Sequence, residues 1–383
     1  SELGWEIDIL APHATGALKK ETSGQLQITR FQYFWPASQQ TVCYQGGALI
    51  NLRKSFWNKV KLPFLVIVEF LAMARLLLKH DYDLIHAHWI LPQGFNAVLL
   101  GKLFRIPAIV TAHGGDVFGL KGKLLATFKH RILQNSSAVT ANSSFTANKI
   151  KNISPELKGL HIIPMGISVN PLSAEQKNQA GLIRQHYKQG DHPLLVFAGR
   201  LVEEKGIADL LNAVEIIKND LPGTRVLILG EGQDRKHFEA LAKKLDITNM
   251  VIFKGWVDNK EVATHLAAAD FFIGPSKTAK DGWIEAQGLS FLEAMSTGTP
   301  VIATASGGIV ETVHNNETGF LVAETNPKQI AEIIKKLYGQ ELLLDKVRKN
   351  ARKMVMKRFS RKASADNFSQ LFDSLVAEQN SSR

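Results

Sequence analysis

DGWIEAQGLSFLEAMSTGTPVIATASGGIVE, residues Asp281 to Glu311, is the stretch on which the reading of this 383-residue chain turns. Two carboxylates, Glu285 and Glu293, stand eight residues apart around a glycine turn at Gly288. Ser290-Phe-Leu-Glu293 has the form of a capping box, which predicts a short helix beginning at Ser290. The first N–H groups of such a helix, at Leu289 and Ser290, lack intrahelical acceptors and favour an anion. Gly298-Thr-Pro300 stops the helix, VIAT gives a buried strand, and Gly307-Gly308 opens a second helix beside the first. Two helix N-termini, two acids and several glycines in one place fit a phosphate that carries hydroxylated groups. The plain reading is also available: Glu293 as the cap partner of Ser290, and Glu311 as an acid in a first helical turn. The glutamate spacing alone decides little.

Upstream of this stretch, apolar strands alternate with helical segments. Strands are expected at 194–198, 225–229, 250–254 and 270–274, and helices at 206–218, 234–245 and 259–268. Such alternation implies a doubly wound parallel sheet, which binds ligands beyond the carboxyl ends of its strands. The first turn, GRLVEEKG, sets Arg200 and Lys205 just past a strand end. A forked guanidinium and an ammonium there suit a diphosphate, whose leaving charge they neutralise. Two solvated cations on an ordinary loop would read the same way. Gly230-Glu-Gly232 and Gly255-Trp-Val257 end the neighbouring strands. Beyond Pro327 the pattern is helical and charged, with 361–376 as the last helix.

A second alternating series precedes residue 170. It has a strand at Trp5–Leu10, a poorly patterned region from Thr15 to Asn58 expected to be loops, and a strongly apolar helix at 59–79. Strands at 83–89, 107–111, 137–142 and 160–167 follow, with helices at 94–104, 122–134 and from Ser143. His113, in Thr-Ala-His-Gly-Gly-Asp, sits at a strand end where ligands bind. His86 and His88, two apart on a strand, point to one face and would suit either packing or the start of a metal site. Packing is the preferred reading. Residues 168–192, polar and containing Pro171 and Gly190, read as a linker.

Composition bounds the classes. Hydrophobic residues are 45% of the chain, enough for two cores, and the single cysteine, Cys43, excludes an internal disulfide framework. The net charge is +11, and residues 1–170 hold 18 Lys and Arg against 9 Asp and Glu, a balance of +9. That half is suited to anionic lipid headgroups or an anionic acceptor. No recognisable nucleic-acid module is present, so nucleic acid is not an expected partner. The longest apolar stretch, Leu62–Leu78, contains Glu69 and Arg75, which favours a buried or interfacial helix over a membrane span.

With these residues in place, the 281–311 stretch resembles the donor-binding signature of the retaining, two-domain family 4 glycosyltransferases, with its flanking glutamates and its EAM-x-x-G-x-PV-x-A-T run. The resemblance extends less tightly over most of the chain. It implies the GT-B arrangement, two Rossmann-like α/β domains facing across a cleft. These would be residues 1–170 on the acceptor side, residues 171–360 binding the nucleotide sugar, and a final helix at 361–383 returning to the first domain. It further implies that Glu285 holds donor-sugar hydroxyls, Glu293 the ribose, and Arg200 and Lys205 the diphosphate. Gly288, Leu289 and Ser290 would offer N–H groups, while Gly230, Gly232 and Val257 would lie at ribose and base. His113 would contact the sugar from the other domain. Transfer to a hydroxyl of a lipid-linked or saccharide acceptor is expected, with retention, no metal or other cofactor, and a UDP-sugar ahead of a GDP-sugar. The expected place is cytoplasmic, peripheral to the inner face of the plasma membrane. In the family SELGWEIDILAPH follows a strand, a glycine-rich loop and a helix, so about one β-α unit is expected to be missing ahead of Ser1. Three alternatives stay open: an inactive or partner-binding relic, a sugar-nucleotide epimerase, and a metal hydrolase using His86, His88, His113 and Asp116.

Overall fold

The structure is a computed structural model that describes residues 2–43, 47–119 and 121–381, apart from the side chains of Leu49 and Arg53. The chain forms two compact units. One comprises Ser1–Asn142, Thr146–Ile163 and Ala365–Arg383, and the other Ser143–Phe145 and Pro164–Ser364.

The first unit has two sheets. Strands β1 (Ile7–Pro12), β2 (Lys20–Ser23) and β3 (Leu26–Phe31) are ordered β1-β3-β2, with β1 parallel and β2 antiparallel to β3. Strands β4 (Ile85–His88), β5 (Ala108–Ala112), β6 (Ala138–Ala141) and β7 (Leu160–Ile162) make a parallel sheet in that order. Every residue of β5 and β6 is buried, as expected of parallel strands covered on both faces. The helix Phe56–Leu77 serves both sheets. Its Leu65 packs with Phe31, Tyr33 and Val42, while Met73 and Leu77 pack against Ile85, Ala87 and Ala97. Leu371 and Leu375 of the last helix, Arg361–Ser381, cover Ile109, Ala138 and Ile163. The region 15–58 is not the run of loops expected from its sequence. It contains β2, β3 and the helix Ala48–Lys54. All four residues of β2, KETS, are exposed, so no apolar alternation announces the strand.

The second unit is one parallel sheet: β8 (Leu194–Ala198), β9 (Arg225–Leu229), β10 (Val251–Gly255), β11 (Phe271–Gly274), β12 (Val301–Thr304) and β13 (Phe320–Val322). The order is β10-β9-β8-β11-β12-β13. Successive residues of β8 serve opposite cores: Leu195 and Phe197 pack with the helices Ile207–Ile217 and Pro327–Leu337, whereas Leu194 and Val196 pack with Ala174–Tyr187 and Leu289–Thr297. The strand order reverses between β8 and β11, and the crevice of a doubly wound sheet opens at that point. The expected linker 168–192 instead holds the 14-residue helix Ala174–Tyr187. A capping box starts it: Ser173 Oγ accepts from Gln176 N–H at 3.1 Å, and Gln176 Oε1 accepts from Ser173 N–H at 3.0 Å.

Candidate functional site

The loops that leave β8 and β11 meet at the reversal point. After β8, Gly199 and Arg200 lead into a single 3-10 turn, Glu203–Lys205, ended by Gly206. After β11, residues 275–288 run to the helix Leu289–Thr297. Lys205 Nζ and Glu285 Oε2 form an ion pair across these two loops, with side chains only 18% and 13% exposed. The Lys205 ammonium also lies 5.3 Å from the centre of the Trp283 ring. The Arg200 side chain is exposed and enters no ion pair among the described residues. The sequence-predicted cation pair thus divides into one group held by a carboxylate and one open to a ligand.

Gly288 makes the turn with φ 77°, a left-handed conformation costly for other residues, and a Cβ there would lie 2.3 Å from the Phe291 ring. It is the N-cap of the helix, which starts at Leu289 and has no side-chain cap. The expected capping box at Ser290 does not form, because Ser290 already lies inside the first turn. The Phe291 N–H donates to Gly288 O at 3.2 Å, while those of Leu289 and Ser290 precede any intrahelical acceptor. Glu293 is freed from the cap role and sits in mid-helix, exposed to solvent. Protein packed around it still raises its carboxyl above the usual range by desolvation.

The second helix is a single short turn, Ile309–Thr312, and adds no anion site of its own. Its Gly308 N–H donates to the Glu285 carbonyl at 2.9 Å, which fixes the backbone beneath that acid. A residue not singled out from sequence does similar work. Buried Gln287 donates from Nε2 to Met165 O and accepts at Oε1 from Met165 N–H, both at 2.9 Å. Nothing in the sequence distinguished Gln287 from a solvated turn residue. Gly230 and Gly232 are packed under the β8 loop: a Cβ on them would lie 2.0 Å from Gly199 O and 2.1 Å from Leu201 O. Their absent side chains let two loops touch. Val257, half-buried after β10, packs against the core beneath.

In the first unit, His113 follows β5. Its Nε2 lies 2.9 Å from His88 Nδ1, and its N–H donates to Asp116 Oδ1 at 3.0 Å. Asp116 is buried and also accepts from Ile90 N–H at 2.9 Å through Oδ2. Burial lowers all three imidazoles, His86 to about 3 and His88 to about 4, with neighbouring histidines adding to the shift at those two. They are neutral at pH 7. His86 packs on Phe368 and Phe372 and bonds Thr111 Oγ1 at 2.6 Å through Nε2. The hydrolase reading does not survive this geometry. Both Asp116 oxygens are spent on backbone N–H groups, and among the described residues no group of three or more His, Cys, Asp or Glu side chains is placed to hold a metal ion. An Asp-x-Asp triplet, Asp81-Tyr82-Asp83, precedes β4 at the amino end of the sheet, where Tyr82 bonds Asp8.

Two family models together match most of the chain: Glycosyltransferase Family 4 over residues 1–170 and Glycosyl transferases group 1 over residues 179–354. A GDP-mannose-dependent alpha-(1-6)-phosphatidylinositol monomannoside mannosyltransferase of Mycobacterium tuberculosis is 29% identical over 277 residues, 72% of this chain and 70% of that protein. A D-inositol 3-phosphate glycosyltransferase of Xylanimonas cellulosilytica is 26% identical over 68% of this chain and 64% of its own length. Among solved structures, sucrose-phosphate synthase from Thermosynechococcus elongatus aligns with a TM-score of 0.78 at 24% identity, covering 98% of this chain and 90% of its own. Anabaena HepE in complex with UDP aligns with a TM-score of 0.73 at 18% identity, covering 97% and 100%. The fold they share is GT-B.

Proposed function

The chain belongs to the group 1, family 4 glycosyltransferases, and from that premise we propose that it moves a sugar from a nucleotide diphosphate donor to a hydroxyl of a saccharide or lipid-linked acceptor in cell-envelope glycan or glycolipid synthesis, working in the cytoplasm at the inner face of the plasma membrane. The observation that carries this reading is the Lys205–Glu285 pair at the reversal point of the second sheet. One loop there brings cations for a diphosphate, and the facing loop brings an acid for sugar hydroxyls beside the start of a helix.

The chemistry asked of these groups is simple. The bond from the anomeric carbon to the diphosphate oxygen breaks, and a bond to the acceptor oxygen forms on the same face, which retains configuration. The proton of the acceptor hydroxyl leaves with the diphosphate. Arg200, Lys205 and the N–H groups of Leu289 and Ser290 are assigned to the charge that develops on the leaving group, and these cations make a metal unnecessary. Glu285 is assigned to the donor sugar, Glu293 to the ribose, and His113, neutral at pH 7, to a hydroxyl of the transferring sugar.

The donor base is where the likenesses diverge: the mycobacterial relative is named for GDP-mannose, and HepE was solved with UDP. A thermal-shift titration with GDP, UDP and their sugar conjugates tests the reading. A ligand at 100 times its dissociation constant stabilises by about 2.7 kcal/mol, a rise of several degrees. Stabilisation by one nucleotide family, followed by acceptor-dependent release of its diphosphate, is the expected result. No shift with any nucleotide would overturn the reading, and conversion of the sugar nucleotide without acceptor would make the protein an epimerase.

A further inference from the structure

The helix Phe56–Leu77 buries one side and leaves the other bare. Asn58, Lys61, Leu65 and Glu69 are its buried residues. On the opposite side, Phe56 is 72% exposed, Val60 40%, Phe64 49%, Ile67 56% and Leu71 59%, and Leu78 just past the helix end is 75% exposed. At 3.6 residues per turn these six fall within an arc about 80° wide, a continuous apolar stripe roughly 30 Å long. Trp57, 69% exposed, borders it. The stripe is too regular to be scattered surface apolarity, and contiguous exposed patches of this size mark contact surfaces.

Its neighbours repeat the pattern. The helix Phe95–Phe104 packs beside it, with Asn96 Nδ2 donating to Val66 O and to Glu69 Oε2, each at 3.0 Å. That helix exposes Leu99 and Leu103, 45% and 71%. Charge on these helices is one-sided. In the helices Phe56–Leu77, Phe95–Phe104 and Lys123–Asn135, the only acid is Glu69, which is 3% exposed. Lys59, Arg75, Lys102, Lys123 and Arg131 are all exposed on them. Lys59 and Arg75 fall on either side of the stripe on the helical wheel. No helix among the described residues is long and apolar enough to cross a membrane.

We propose that the first unit docks on an anionic lipid surface through this face, with the helix Phe56–Leu77 lying in the plane of the interface, its stripe among the acyl chains and its flanking cations at the headgroups. Apolar width, flanking Lys and Arg, and the lack of any exposed acid are what such a helix requires. A second copy of the chain would set like charges against one another, because these helices present only one sign. The proposal extends the membrane placement given above but needs neither donor nor transfer, so its test is separate from the test of activity.

Co-sedimentation of the full chain with phosphatidylglycerol–phosphatidylcholine vesicles and with pure phosphatidylcholine vesicles, at low and high salt, reads it directly. The chain is expected to pellet with anionic vesicles at low salt and less at high salt. Ile67→Glu/Leu71→Glu should keep its circular dichroism and nucleotide binding and lose about tenfold or more in partitioning. Lys59→Gln/Arg75→Gln should weaken anionic binding by about fivefold per charge and leave any neutral-vesicle binding alone. Equal pelleting of Ile67→Glu/Leu71→Glu and the parent chain would overturn the proposal. So would a concentration-dependent dimer that the same variant dissolves, in a chain that ignores both vesicles; that would assign the face to a second copy.

Discussion

Lys205 and Glu285 hold each other at the reversal point of the second sheet, where the proposed donor would need both. Removing the negative partner therefore has opposite effects on the two ends of the donor. Glu285→Gln loses the charge-assisted hydrogen bonds to sugar hydroxyls, about 1.5–3 kcal/mol, and turnover should fall by one to two orders of magnitude. It also frees the Lys205 ammonium, so nucleotide diphosphate should bind as well as before or more tightly in a calorimetric titration. A weaker diphosphate complex would show that Glu285 orders the loop instead of receiving the sugar. Glu293 makes a different case. Its carboxyl is raised above the usual range by desolvation, and it must be ionised for both oxygens to accept from the two ribose hydroxyls. Donor affinity should thus begin to fall above the ordinary carboxylate range as pH drops, and Glu293→Gln should flatten that limb while binding more weakly at neutral pH. The sign for stability is the reverse. A folded-state pKa above the unfolded one means a contribution present at low pH and lost as pH rises through it, so at pH 7 Glu293→Gln should melt no lower than the parent chain. The turn at Gly288, with an acid on either side of it, was legible from the sequence. The capping box does not form, because left-handed Gly288 is the N-cap, two residues ahead of Ser290.

Elements with strong periodicity came through from sequence alone: 194–198, 225–229 and 301–304 are strands at the residues expected. The errors share a cause. Where apolar residues are sparse, the pattern carries no period. The helix Ala174–Tyr187 buries only Ala180 and Ile183, so its polar sequence resembles a linker. The signal that would have found it is the Ser173-x-x-Gln176 box. That box offers a test at the scale of the element: Ser173→Ala should cost about 1 kcal/mol and lower the midpoint of the second unit by a few degrees, with Ser173→Asp restoring it. An unchanged midpoint would mean that packing alone holds the helix. In the first unit, β2 escaped notice for the same reason, and alternation puts His86 and His88 on one face without deciding their role: His86 packs on Phe368 and Phe372, while His88 is exposed beside His113.

At the scale of the whole molecule, the second unit has its own sheet, two cores and the groups assigned to the donor, with 383 residues shared between it and a first unit of separate architecture. Nucleotide alone should accordingly raise the calorimetric transition of the second unit and leave that of the first in place. A single transition that moves as one would show that the two units unfold together. The topology was open to inspection in the sequence, since alternating strands and helices admit few arrangements. The division of the first unit into two sheets was not, because edge pairing leaves no mark on hydrophobic period. Trp283, whose ring lies over the Lys205 ammonium, adds an optical consequence. When that cation turns toward a phosphate, the indole loses a charged neighbour, and its emission should change in wavelength and yield. The protein then carries a built-in fluorophore for donor occupancy, readable against five other tryptophans by the loss of the change in Trp283→Phe.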